Sequence, residues 1–296
     1  MNLQQNKPTF ESTLKSRDTE EFLDIHFYRP VGYRLALFFN RLDVTPNQVT
    51  IASIFIGIAA GVCFAFSSFG INLLGVFLLI WANIYDSVDG QLARMTGRKT
   101  ELGRILDGAC GDFWFLSIYV ALIFRLWPVW NFWILLLALA AGYFHSKQSA
   151  MADYYRNIYL LFLKGKNGSE WDNSSDLRGK YAAISWKKQP WVKLFEKAYI
   201  IYTEGQERWS PCLQRMRKMI NGDISGGFRD GFLKKTFPLL KYTNMLSFNL
   251  RVIVLFICVL SGFPWIYFIF ELTVLNSMLL YMVRKHETIC KEYVEH

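Results

Sequence analysis

Long apolar runs separated by short polar clusters dominate this chain. Residues 46–68 carry no charged side chain, and neither do 71–85, 113–124, 126–146, 252–270 or 272–283. Each run belongs to a segment of roughly 20 residues once its polar ends are counted, the length at which a helix crosses a bilayer. The pattern predicts six membrane-spanning helices at about 46–68, 71–94, 101–126, 128–147, 242–261 and 264–284.

Between Val31 and Leu42 the period changes. Val31, Leu35, Phe38, Phe39 and Leu42 repeat at helical spacing while Arg34 and Arg41 fall elsewhere on the wheel, predicting an interfacial amphipathic helix that Pro30 starts. Thr45 is expected as N-cap of the first span, with Pro46 at its first helical position. Residues 1–19 are polar and read as loose.

The segment 164–241 interrupts the membrane pattern. Trp191, Leu194, Phe195, Ala198, Tyr199 and Tyr202 form one helical stripe, and Leu213, Met216 and Ile220 form a second after Ser210-Pro211. Two readings stay open: helices packed on the protein's own surface, or surface helices that attract anionic lipid headgroups. The Gly-rich run Gly222 to Gly231 reads as a connecting loop. The expected organisation is an N-terminal segment 1–45, spans one to four in 46–163, a basic helical insertion 164–241, and spans five and six with a tail in 242–296. The fold class is all-α and polytopic.

Composition supports this picture: 52% of the 296 residues are hydrophobic and 17% aromatic. The net charge of +9 would suit nucleic acid if it were spread over the surface, but segment 164–241 alone carries 16 basic and 8 acidic residues. The turns at 69–70 and 261–263 carry none. The positive-inside bias therefore puts both termini and the insertion in the cytoplasm, with no role for nucleic acid. No early apolar run marks a signal peptide, so the first span is expected to act as its own insertion signal. The five cysteines show no paired or metal-like spacing and read as free thiols.

The chemistry concentrates at the ends of spans two and three. Asp86, Asp89, Asp107 and Asp112 lie there with Gly90, Ala93, Arg94 and Gly103. Carboxylates at membrane depth are costly, which makes several together a functional site. Acids without His or Cys suit a hard cation, Mg²⁺ or Mn²⁺. On a helix Asp86 and Asp89 are i and i+3, while Asp89 and Ala93 are i and i+4, so they share a face. Gly90 and Ala93 keep that face slim, and Arg94 at its end can meet a phosphate. A purely structural network, with the acids neutralised by Arg94, Arg98 and Arg104, would not require those small residues.

This pattern resembles the signature of the CDP-alcohol phosphotransferase family, Asp-x2-Asp-Gly-x2-Ala-Arg-x8-Gly-x3-Asp-x3-Asp, matching it at Asp86, Asp89, Gly90, Ala93, Arg94, Gly103 and Asp107. Thr-Pro-Asn-Gln-Val-Thr at 45–50 is similar to the family's entry to the first span. The resemblance implies displacement of CMP from a CDP-linked donor by an alcohol, two metal ions held by Asp86, Asp89 and Asp107, and nucleotide contacts from Gly90, Ala93 and Arg94. It implies a fourth aspartate, ligand and base, at position 111, where this chain has Gly111. Asp112 is expected to fill that role through a π-bulge between 107 and 112, which Gly108 and Gly111 make easy.

Six spans resemble family members that use CDP-diacylglycerol and a polar acceptor such as an inositol phosphate, and homodimers are common in the family. Lys147, Arg156 and Arg251 are the cations available to hold such an acceptor, although Arg251 could instead pair with Glu271. An aminoalcohol phosphotransferase using CDP-ethanolamine or CDP-choline and a lipid alcohol is the alternative. A transporter is the alternative of another class; it would be marked by interrupted helices in both halves, whereas the acids occur in one half alone.

Overall fold

The computed structural model describes residues 9–14, 16–98, 100–165, 169, 172–187, 189–219 and 226–295, and among them the regular elements are all helical. They divide into two compact units, Met1–Gly142 with Val252–Ile269, and Tyr143–Arg251 with Phe270–His296. Among the described residues five stretches are long and apolar enough to cross a membrane, as fits a multi-pass membrane protein: Pro46–Cys63, Phe69–Thr96, Leu106–Trp130, Gly226–Leu260 and Trp265–Val294.

In the first unit, α1 (Arg29–Arg41) carries Pro30 in its first turn, but the expectation that Pro30 starts the helix is corrected, because a π-helical turn, Asp24–Tyr28, runs into it without a break. Its Ala36, with Val31, Leu35 and Phe39, packs on Ile84, Val88 and Leu92 of α3 (Phe69–Thr96). α2 (Pro46–Cys63) starts as expected: Thr45 accepts from the Gln48 amide and the Gln48 side chain reaches back, a reciprocal capping box, with Pro46 at the first position. α3 ends where Gly97 turns left-handed at φ 67°. α4 (Glu101–Trp130) is N-capped by Thr100, which accepts from the Gly103 amide. It is pinned to α2 by the Trp114 indole N–H, which donates to the Ser53 carbonyl at 3.1 Å. The end of α11 (Phe248–Leu260) and the start of α12 (Trp265–Phe270) complete the unit, with the Tyr119 ring 5.5 Å from that of Phe268.

The fourth expected span corresponds to α5 (Phe132–Lys164), which is not among the five membrane-length apolar stretches. Its apolar run ends at Phe144, where His145-Ser146-Lys147-Gln148 follows. Thirteen helical residues reach only about 20 Å, short of a ~30 Å hydrocarbon core.

In the second unit, the rest of α5 packs with α6 (Ser174–Ala183), α7 (Pro190–Trp209), α8 (Pro211–Met219), α9 (Gly226–Thr236), α10 (Leu240–Met245) and α13 (Asn276–Val294). A π-helical turn, Glu271–Leu275, precedes α13. The core joins Tyr155, Ile158 and Phe162 of α5 to Leu213, Met216, Phe232, Leu279 and Met282. The expected Gly-rich loop is corrected here: from Gly226 onward it is helix α9, because Phe228 and Phe232 stack against Phe162 and draw the segment into the core. Residues 222–225 and Ile220 lie outside the described residues. The looseness expected of residues 1–19 is also corrected in part, since Thr13 and Leu14 are buried, while 1–8 and 15 lie outside the described residues. All five cysteines are free.

The two helical stripes of the insertion part company. On α8, Leu213 and Met216 are buried against α13, whose Glu287 carboxylate accepts from the Cys212 amide at 2.7 Å and caps the helix. Burial first, then that carboxylate, holds the Cys212 thiol above its ordinary range. On α7 the buried positions are Lys193, Ile200, Thr203 and Gln206, whereas Trp191, Leu194, Phe195, Ile201 and Tyr202 are exposed.

Candidate active site

α3 and α4 bring three carboxylates to one point. Asp86 and Asp89, one turn apart on α3, and Asp107 on α4 each offer an oxygen, and these oxygens all lie within 4.8 Å of one another. Asp89 is buried, Asp86 half-buried and Asp107 exposed, so the cluster opens on the Asp107 side. Carboxylates this close repel one another, and a divalent cation relieves that repulsion. The donor set is oxygen alone, which fits a hard cation such as Mg²⁺ or Mn²⁺.

The first turn of α2 supplies the support. Thr50 donates its hydroxyl to Asp89 Oδ2, fixing the deepest carboxylate. One turn earlier, Asn47 donates to the Thr100 hydroxyl at 3.1 Å and so ties α2 to the start of α4. Gly103 permits that approach, because a Cβ there would stand 2.4 Å from Asn47 Oδ1. The capped segment 45–50 is therefore part of the site as well as a helix start. Sequence reasoning identified its cap and missed Asn47 and Thr50, although their i, i+3 spacing already put them on one face.

Arg94 lies over Gly90: a Cβ at 90 would be 3.4 Å from both terminal guanidinium nitrogens. Its Nε donates to the Thr13 carbonyl at 2.6 Å, whereas Nη2 is buried with no protein partner. A waiting donor beside a bare stretch of helix fits a phosphate oxygen. Thr13 is a second contributor the sequence did not reveal. Arg98, which a structural charge network would use, pairs with Asp43 at 2.8 Å instead, and the side chain of Arg104 lies outside the described residues.

The expected π-bulge is absent, because α4 is α-helical without interruption from Glu101 to Trp130. Gly108 and Gly111 would tolerate one, but a Cβ at either meets nothing within 4 Å, so no crowding forces the distortion. In a regular helix Asp112 stands about 140° round from Asp107. It is exposed and is not a member of the three-carboxylate cluster.

The three expected acceptor cations all belong to the second unit. Arg251 is enclosed: it donates to Glu271 Oε1 and Gln148 Oε1, both at 2.7 Å, and to the Leu246 carbonyl at 3.2 Å. Of its two open readings, the structure shows the pair with Glu271. Arg156 donates to Ser247 at 2.6 Å and keeps a buried Nε without a protein partner. Lys147 stands over the Tyr143 ring, 5.6 Å from its centre.

A helical chain with membrane-length apolar stretches and a carboxylate cluster shared by adjacent helices defines a class, and comparison with known proteins gives its likeness. Residues 43–156, less than half of the chain, match the model of the CDP-alcohol phosphatidyltransferase family. Among curated relatives, an uncharacterised protein of Aquifex aeolicus is 34% identical over 88 residues, 29% of this chain and 43% of the relative. A phosphatidylinositol phosphate synthase of Corynebacterium glutamicum is 36% identical over 77 residues, 24% of this chain and 31% of the relative. A bifunctional IPC transferase and DIPP synthase of Aquifex aeolicus is 36% identical over 91 residues, 30% of this chain and 20% of the relative. The chain spans less than half the length of each.

Proposed function

We propose that this chain displaces CMP from CDP-diacylglycerol by the hydroxyl of a polar alcohol such as an inositol phosphate. The observation that carries the reading is the convergence of Asp86, Asp89 and Asp107 from two helices within the family segment. These three would hold two Mg²⁺ or Mn²⁺ ions, which when bound neutralise the pyrophosphate and ease departure of CMP. Thr50 keeps Asp89 in place. The open Nη2 of Arg94 takes a donor phosphate, and Gly90 and Ala93 let the nucleotide lie close to α3. Asp107, at the open side of the cluster, is the carboxylate an acceptor hydroxyl meets, and in this reading it takes the proton that Asp112 was expected to take. Arg251, whose donors are already engaged by Glu271, Gln148 and Leu246, is dropped from the residues expected to meet the acceptor.

The name of the Corynebacterium relative supports the polar, phosphorylated acceptor. The concentration of basic residues in the insertion supports a site facing the cytoplasm, with α1 at the interface. Purified protein in vesicles, given CDP-diacylglycerol, CDP-ethanolamine or CDP-choline with a panel of alcohols, tests the reaction by the mass of the lipid formed. Product from CDP-diacylglycerol and a polar alcohol, abolished by chelator, is expected. Reaction of CDP-ethanolamine with diacylglycerol while CDP-diacylglycerol stays inert with every polar alcohol would overturn it.

A further inference from the structure

α7 is inside out by the standard of a soluble surface helix. Its buried face carries Lys193, Thr203 and Gln206 beside a single aliphatic residue, Ile200, while Trp191, Leu194, Phe195 and Ile201 stand 44–71% exposed. Hydrophobic burial normally produces the reverse arrangement, so this face has a partner other than water.

The charges around the stripe say which. On a helical wheel the exposed residues fill an arc bordered on one side by Lys197 and Arg208, both exposed, and on the other by Tyr199. Glu196 and Glu207 fall on the far side, where Glu207 accepts from Ser174, while Glu204, opposite Phe195 and just behind Lys197, is taken up by Arg178. An aromatic and aliphatic stripe edged by cations and free of acids is complementary to an anionic bilayer surface.

The neighbouring helix of the same unit adds a second observation. Within the second unit, α5 exposes Tyr143, and Lys147 follows one turn on, where the uncharged run ends. A tyrosine with a lysine over its ring, where an apolar run stops, is the pattern of a helix leaving the hydrocarbon. α7 crosses α5 at that point. Lys147 Nζ would be 3.4 Å from a Cβ on Gly205, and a cavity of about 230 Å³ opens there, lined by Lys147, Ala150, Ile201, Tyr202, Gly205 and Trp209.

We propose that α7 is an interfacial helix that beds its Trp191–Ile201 face in an anionic lipid surface, with Lys147, Lys197 and Arg208 meeting lipid phosphates. The proposal is independent of the reaction assigned above.

The test uses the full chain in vesicles of phosphatidylcholine, with or without phosphatidylglycerol. A spin label on Phe195→Cys, with the native cysteines replaced, is compared with one on Glu204→Cys across the helix. The label at 195 should meet dissolved oxygen in preference to a water-soluble nickel complex, and the label at 204 the reverse. Adding Lys197→Gln and Arg208→Gln should reduce that preference in anionic vesicles and leave it unchanged in neutral ones. Equal access of nickel to both labels overturns the proposal, as does protection at 195 accompanied by spin coupling between copies, which would make the face a contact with a second copy. If the cysteine-free background does not fold, quenching by brominated phospholipid decides: Trp191→Phe should lower the quenched share of tryptophan emission, and an unchanged share overturns the assignment.

Discussion

Arg251 and Glu271 face each other at 2.7 Å with 1% and 0% of their side chains exposed, an ion pair sealed inside the second unit. Gln148 joins it from α5, accepting from Arg251 and donating to the Glu271 carbonyl. Removing one partner strands a buried charge, which typically costs about 3–5 kcal/mol, whereas replacing both with apolar residues of similar volume is far milder. Glu271→Ala should therefore lower the unfolding midpoint in detergent markedly, and Arg251→Met with Glu271→Leu should recover much of the loss. Equal stability of Glu271→Ala and the parent would show that the pair contributes little.

The carboxylate cluster makes a sharper prediction. Asp86→Asn, Asp89→Asn and Asp107→Asn should each remove most turnover and weaken Mn²⁺ binding followed by electron paramagnetic resonance. Full wild-type activity in excess chelator would rule out a metal-assisted reaction.

Thr50 acts through Asp89, so its loss should be graded. Thr50→Val keeps the shape and deletes the donor. Metal affinity should fall roughly 10- to 100-fold, the usual effect of losing a partner that orients a ligand. Thr50→Ser should restore it, and raised metal concentration should recover the turnover of Thr50→Val.

Asp112 separates two accounts of the missing fourth aspartate. With α4 unbroken, Asp112→Asn should leave Mn²⁺ affinity near the parent value while Asp107→Asn weakens it. Equal loss in both variants would return Asp112 to the cluster and require α4 to distort when metal binds.

Orientation can be read with single cysteines at Ala182 or Ala183, both exposed on α6. In intact cells they should resist a membrane-impermeant thiol reagent added outside and label once the membrane is opened. Ready labelling from outside would invert the topology.

How far the sequence reaches can be seen residue by residue. Asp86, Asp89 and Asp107 were legible because i, i+3 spacing on one helix and a short turn to the next leave few ways to arrange them. The capping box at Thr45 was legible for the same local reason. Thr50 and Thr13 were not, because their contacts with Asp89 and Arg94 join positions 39 and 81 residues apart, and no periodicity encodes such a pairing. Gly226 and Gly227 suggested a loop, but Phe228 and Phe232 outweighed them by filling the core. The inverted face of α7 appeared in the sequence as a stripe; only its surroundings showed that the stripe points outward.

The cap that Glu287 places on α8 spans 75 positions of chain. Ribosomes deliver the insertion long before they deliver α13, so α8 waits during synthesis with its first amides unsatisfied and Leu213 and Met216 uncovered. For α8, the partners come last although the helix is made in the middle. A chain stopped before Asn276 should be cut by trypsin at Arg215 and Arg217 faster than the full chain, because α8 then lacks its cap and its packing partner.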